Sequence, residues 1–198
     1  MHLVQAALKH GYPIVLLRLS LAAYRLRRAV GVAGVFSCTL IATRGITAGS
    51  GTAATELKLL LLPLMRLLEA QWANTLVAKV YVDDLTLLVR GAKQFVVDRM
   101  AEIMNFVIQH LECTLLMKVS KKKSTVVASK PSVALAIAER VDNGTVNAAS
   151  HATILGADTV GGTRRGTFQF RSRIWQFLGK VPRFNALREV GATVHQMV

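Results

Sequence analysis

Cysteine is scarce in this chain of 198 residues, which contains only Cys38 and Cys113. Two distant cysteines provide neither the ligand spacing of a zinc site nor a disulfide framework. We therefore expect both to be buried apolar side chains. The five histidines have no ligand spacing either, and no Ser/His/Asp arrangement is evident. Nothing in the sequence supports nucleophilic catalysis.

Long uncharged runs are also missing, although 52% of the residues are apolar. The longest uncharged stretch of the apolar first half, residues 29–43, has 15 residues, whereas a membrane-spanning helix needs about 20. The leucine-rich run 57–68 contains Lys58, Pro63 and Arg66, and the N-terminal region has no small-residue cleavage pattern. These absences predict a soluble intracellular protein, nuclear or cytoplasmic, with no membrane partner.

Acidic residues are few, with 11 Asp and Glu against 25 Lys and Arg, and the formal net charge is +14. A charge of this size indicates a polyanionic partner, either nucleic acid or an anionic membrane surface. Solvated lysines explain the same composition, so charge alone does not choose between these interpretations.

Hydrophobic spacing predicts helices over residues 3–9, 14–30, 53–70, 93–113 and about 170–177. Strands are predicted over 35–42, 75–80, 85–89, 125–128, 133–137 and 153–156, with an Asp142-Asn143-Gly144 turn between short strands. From Gly161 the composition changes to glycine, arginine and aromatic residues. This change predicts two regions, 1–160 and 161–198.

The most informative residues are Tyr81-Val82-Asp83-Asp84, which lie between two short apolar runs. This arrangement predicts a β-hairpin with two carboxylates at its tip. Adjacent anions repel each other, and a bound Mg²⁺ ion removes that penalty because hard cations prefer carboxylate oxygen. An ordinary Asp-containing turn is the alternative, since aspartate is a favoured turn residue.

Three basic or glycine-rich segments accompany this motif. The loop 44–52 precedes an apolar helix and could present N–H groups to phosphate, although it lacks the P-loop spacing. Lys121-Lys122-Lys123 could contact a triphosphate, or it could be a solvated charge run. The tail mixes cations with rings, as binders of single-stranded nucleic acid do. These residues are Arg164, Arg165, Arg171, Arg173, Trp175 and Phe177. A helix with a buried aromatic stripe explains them nearly as well.

The order of these elements resembles the palm of a reverse transcriptase of the non-LTR retroelement type. Residues 81–84 match the Tyr-x-Asp-Asp hairpin of that family, and residues 44–50 resemble its template- and nucleotide-contacting loop. Lys123-Ser124 resembles the lysine-bearing segment after the palm helix, Leu155-Gly156 the primer-grip hairpin, and the tail the start of the thumb.

The resemblance implies an α+β fold, in which residues 1–160 form partial fingers and palm and residues 161–198 begin a helical thumb. An antiparallel sheet packed on helices would bear the hairpin. It implies an RNA template, a DNA primer and deoxynucleoside triphosphates as partners, with Mg²⁺ or Mn²⁺ as cofactor. Asp83 and Asp84 would be the catalytic metal ligands. Substrate contacts would come from Tyr81, Arg44, Gly49, Ser50 and Lys123.

Two departures from the family pattern stand out. Ala48 occupies the place of a glutamine, and the family's earlier metal-binding aspartate is missing, since Asp83 is the first aspartate of the chain. We therefore expect an upstream truncation, an unpaired sheet edge, poor solubility and impaired polymerisation. A catalytically silent nucleic-acid-binding remnant is the alternative, and a basic amphipathic protein acting on anionic membranes is a third interpretation.

Overall fold

The computed structural model describes residues 2–29, 31–41, 45–46, 50–154, 157–161 and 167–189. Within these residues the chain forms six α-helices and four small two-stranded ladders, three of them antiparallel, which confirms the α+β class. The residues fall into two compact units, one from 1–92 and 106–118 and the other from 93–105 and 119–198. The predicted division at residue 161 stays a prediction.

Three helices supply most of the core of the first unit. They are α1 (His2–Lys9), α2 (Ile14–Tyr24) and α3 (Ala53–Trp72). Every fourth residue of α3 is buried, because a period of 3.6 keeps such positions on one face; these residues are Glu56, Leu60, Leu64, Leu68 and Trp72. At the end of α3, the Trp72 ring meets Phe106 edge-on at 5.2 Å between centroids.

Helix α2 ends six residues earlier than the predicted 14–30. It stops at Tyr24, just before the arginines at positions 25, 27 and 28. Like charges three residues apart on a helix repel each other, which disfavours a further turn here. Arg28 instead forms an antiparallel bridge with Leu40.

The strand predicted over 35–42 is largely wrong. Among the described residues of this range, Val35–Phe36 alone forms a strand (β2), which pairs with Gly31–Val32 (β1). Ala33 and Gly34 connect them, both with positive φ, 50° and 82°. Both strands are exposed. A β-branched sequence favours a strand mainly where it packs against something, and little packing is present here.

The next two strands are β3 (Leu76–Tyr81) and β4 (Asp84–Val89), which pair antiparallel along their whole length. Strand β3 packs against α3. Within the described residues no third strand joins this ladder. Its assignment to a polymerase palm therefore stays a prediction.

The long helix α4 (Lys93–Gln109) continues into a π-helical turn, His110–Thr114, close to the predicted 93–113. The second unit then contains β5 (Thr125–Val126), α5 (Pro131–Arg140), β6 (Asn147–Ala148), β7 (His151–Ile154), β8 (Ala157–Val160) and α6 (Phe168–Glu189). Strands β5 and β6 pair parallel, and β7 and β8 pair antiparallel. Helix α6 is much longer than the predicted 170–177.

The strand predicted over 133–137 is wrong, because these residues belong to α5. Pro131 begins this helix, where its fixed φ suits the first turn. Val133, Ala134 and Ile137 are buried, a helical spacing that a short apolar run does not distinguish from a strand. Residues 142–144 form a single 3₁₀ turn between α5 and β6 rather than a link between two strands.

The prediction of buried cysteines is also wrong, since Cys38 and Cys113 are both exposed free thiols. Cys38 follows the exposed β1–β2 ladder, and Cys113 lies in the π-helical turn. In the part of the chain that the structure describes, no helix has the length and apolar character needed to cross a membrane.

Candidate functional site

The β3–β4 hairpin gathers three of the predicted site residues. Tyr81 and Asp84 are directly opposed as the last cross-strand pair, and Val82 and Asp83 form the two-residue turn between them. Directly opposed residues of an antiparallel pair point to the same face. The tip of the hairpin therefore carries one phenol and two carboxylates within four consecutive positions of the chain.

Val82 has a φ of 53°, in the left-handed region that β-branched residues rarely adopt. A residue other than glycine costs about 1–2 kcal/mol there. Strained backbone of this kind is frequent at functional sites, where it fixes the direction of neighbouring side chains. At this turn the residue that follows the strained position is Asp83.

The two faces of the hairpin differ in burial. Strand alternation places Leu76 and Val89 on the inner face, where both are buried. The outer face carries Lys79, Tyr81 and Asp84, all exposed. Lys79 is diagonal to Asp84 on this face and was not singled out from the sequence; its spacing of two from Tyr81 would have indicated it.

Asp83 and Asp84 are exposed, so solvent and a ligand can reach both carboxylates. Mg²⁺ is bound in many proteins by one or two carboxylates together with water and substrate phosphate. Two adjacent aspartates fit that requirement. Among the described residues, however, no three His, Cys, Asp or Glu side chains come together as a metal-binding group. The hairpin is thus an open two-carboxylate site.

Ser50 lies just before α3 and is half-buried. Its hydroxyl is 3.0 Å from the Thr52 hydroxyl and accepts a 3.4 Å hydrogen bond from the Thr52 N–H. These contacts hold the Ser50 side chain at the start of α3. Arg44 and Gly49, the other predicted residues of this loop, lie outside the described residues, as do Leu155 and Gly156.

Lys123 is exposed in a short turn of the second unit. Its N–H donates to the Ser120 carbonyl at 3.1 Å, and Asn147 donates to the Lys121 carbonyl at 2.8 Å. Backbone bonds therefore fix the turn while the Lys123 side chain faces solvent. Tyr81, Asp83, Asp84 and Ser50 belong to the first unit, so the predicted role of Lys123 near the triphosphate stays a prediction.

A second polar site, which the sequence reasoning missed, lies at the start of α3. Glu56 is completely buried, and one of its carboxylate oxygens, Oε2, accepts a hydrogen bond from the Tyr24 hydroxyl. In the same region the Ser20 and Thr52 hydroxyls are 3.0 Å apart. The signal was available: Glu56 is four residues before Leu60 and eight before Leu64, on the face that α3 buries.

The carboxylate influences both tyrosines around it. Burial, followed by the hydrogen bond to Glu56, raises the pKa of Tyr24 above its usual value of 10.0. Burial, followed by the negative charge of Glu56, also raises the pKa of Tyr12. Both phenols are therefore neutral hydrogen-bond donors at physiological pH.

Helix α6 presents aromatic rings to solvent. Phe170, Trp175 and Phe177 are 60–73% exposed, so the buried aromatic stripe is wrong for these residues. Arg171 and Arg173 lie beside them and are exposed as well. Arg164 and Arg165 lie outside the described residues. An exposed mixture of rings and cations suits stacking and phosphate contacts.

Comparison of the chain with protein-family models, with curated proteins and with solved structures finds no match.

Proposed function

We propose that this chain is a nucleotidyl-transfer domain of the reverse transcriptase type, which extends a DNA primer on an RNA template. The observation that carries the proposal is the hairpin tip, with Tyr81 opposite Asp84 and Asp83 in the turn. The resemblance of the flanking segments and the net charge of +14 support it further.

In this proposal Asp83 and Asp84 hold Mg²⁺, with Asp83 as the principal ligand and Asp84 assisting. The chemistry that bound Mg²⁺ supplies there is neutralisation of charge on phosphate oxygens and activation of the attacking hydroxyl. Tyr81 packs beside the primer end, and Lys123 pairs with the triphosphate. Ser50, with Arg44 and Gly49, contacts template and nucleotide.

We further propose that the isolated chain polymerises weakly. Two exposed carboxylates hold Mg²⁺ less firmly than a set of three, and the described residues provide no larger group. Such a site depends on the substrate phosphates to complete the coordination of the metal ion.

A primer-extension assay on an RNA template, with Mg²⁺ or Mn²⁺, tests the proposal. We expect weak extension by the natural chain, loss of extension in Asp83→Asn, and retention in Glu69→Gln, which removes an exposed carboxylate of α3 outside the hairpin. Extension that survives Asp83→Asn would exclude the hairpin as the active site. Strong extension by the natural chain would contradict its predicted weakness.

A catalytically silent nucleic-acid-binding protein is the second candidate, and the exposed rings and cations of α6 favour it. Affinity for single-stranded RNA should then fall steeply as salt rises. Trp175→Ala should cost about 1–3 kcal/mol of binding if a base stacks on the ring. Arg173→Gln should remove about one phosphate contact and so reduce the slope of log affinity against log salt by about 1. Asp83→Asn should leave binding unchanged, and Mg²⁺ should have no specific effect.

A further inference from the structure

The carboxylate of Glu56 is fully buried, and neither ion pair described in the structure includes it. The two ion pairs described in the structure, Arg99–Glu102 and Asp98–Arg140, lie in the second unit. A buried carboxylate is strongly destabilising unless it is paired, coordinates a metal ion or takes up a proton. Glu56 therefore requires a further partner.

One oxygen of this carboxylate is accounted for and the other is not. Tyr24 donates to Oε2, whereas Oε1 is buried and has no hydrogen-bond partner among the described residues. The Tyr12 hydroxyl is buried as well. A hydrogen bond to Glu56 contributes to the raised pKa of Tyr12, but this hydroxyl makes no hydrogen bond of normal geometry among the described residues. Both sheltered oxygens thus lack a hydrogen bond of normal geometry.

The surrounding donors share one chemistry. We define the Glu56 cluster as Tyr12, Ser20, Tyr24, Ser50, Thr52 and Glu56, which supply five hydroxyl groups and a single carboxylate. All of these ligand atoms are oxygen, which hard cations prefer, whereas most transition metals prefer nitrogen or sulfur. With one formal negative charge, the cluster matches a monovalent cation better than a divalent one.

We propose that the Glu56 cluster binds an alkali-metal cation, Na⁺ or K⁺, through Glu56 Oε1 and the Tyr12 hydroxyl. The ion compensates the buried carboxylate and supplies a contact for both oxygens. It also connects the α1–α2 loop, through Tyr12, to the first turn of α3. Thr52 bonds both Ser20 and Ser50, so the ion would stabilise the segment that leads into this helix.

This site is separate from the carboxylates of the hairpin, and Ser50 is the one residue that it shares with the proposed template and nucleotide contacts. Thermal unfolding of the full chain, at constant pH and ionic strength, tests it by replacing choline chloride with NaCl, KCl or LiCl. We expect the midpoint to rise and saturate in Na⁺ or K⁺ but not in choline. An ion at about ten times its dissociation constant should raise the midpoint by about 4 °C in a chain of this size.

Glu56→Gln, which keeps the shape and removes the charge, should abolish the dependence on the cation. Asp83→Asn removes a carboxylate of the hairpin and should preserve it. If Glu56→Gln does not fold, Tyr12→Phe provides a second test, and it should raise the cation concentration that gives half of the stabilisation several-fold. In a separate measurement on the natural chain, binding should broaden the ²³Na resonance, and excess K⁺ should reverse the broadening. Equal midpoints in every salt would overturn the proposal. Stability that depends on pH and not on the cation would also overturn it.

Discussion

The first unit contains two acidic sites with opposite surroundings. Asp83 and Asp84 stand at the tip of a two-stranded hairpin, exposed and adjacent. Glu56 is completely buried and bonded to Tyr24. The aspartates are accessible to a ligand and contribute little to the fold, whereas the glutamate is costly to enclose and holds its neighbours in place. Exposure therefore separates carboxylates that a ligand can reach from one that is enclosed by the fold.

Replacement by alanine should show the largest difference between these sites. Glu56→Ala removes a buried hydrogen-bond acceptor and leaves a cavity, so it should reduce the free energy of unfolding by about 3 kcal/mol. Asp83→Ala changes an exposed turn and should stay within about 0.5 kcal/mol. Urea denaturation of both variants measures this. Equal losses would mean that the hairpin tip is as structural as the buried glutamate.

Val82→Gly tests whether the hairpin tip stores strain. Glycine adopts a positive φ without steric cost, so we expect this variant to be more stable than the natural chain by about 1 kcal/mol. The β1–β2 turn contains both cases, because Ala33 has a φ of 50° there and Gly34 a φ of 82°. A destabilised Val82→Gly variant would show that Val82 is not strained. A stabilised variant that binds Mn²⁺ more weakly would show that the strained turn supports metal binding at the hairpin tip.

Alkaline titration should report the contact between Tyr24 and Glu56, with the smallest effect of the three. Because the pKa of Tyr24 is raised in the folded chain, the folded state binds more protons than the unfolded state above pH 10.0. Stability should therefore fall as pH rises from about that value to the folded pKa. Tyr24→Phe should reduce this loss. Unfolding at about pH 9 and about pH 11, on either side of the ordinary tyrosine pKa, gives the comparison.

The sequence predicted those elements whose pattern is strong and whose neighbours are local. The leucine spacing of α3 and the two apolar runs around residues 81–84 both produced elements close to their predicted bounds. Errors arose where tertiary packing decides the outcome. The apolar residues 133–137 are compatible with a helix or a strand, and they form part of α5, where one helical face is buried.

The site residues show the same difference between local and long-range contacts. The pairing of Tyr81 with Asp84 follows from the two-residue turn between them, which the sequence predicts. The contact between Tyr24 and Glu56 joins residues 32 positions apart, so it depends on how α2 packs against α3. The sequence indicates such a contact only indirectly, through a charged residue such as Glu56 at a helical position where the neighbouring turns carry buried leucines.

Helix α4 has a consequence for how the molecule is synthesised. Its residues 93–105 belong to one unit and residues 106–109 to the other, so neither unit is a continuous piece of chain. The first unit thus stays incomplete on the ribosome until residue 118 has emerged. Any attempt to express one unit alone would cut through a helix, and a rearranged chain order would be needed to keep it whole.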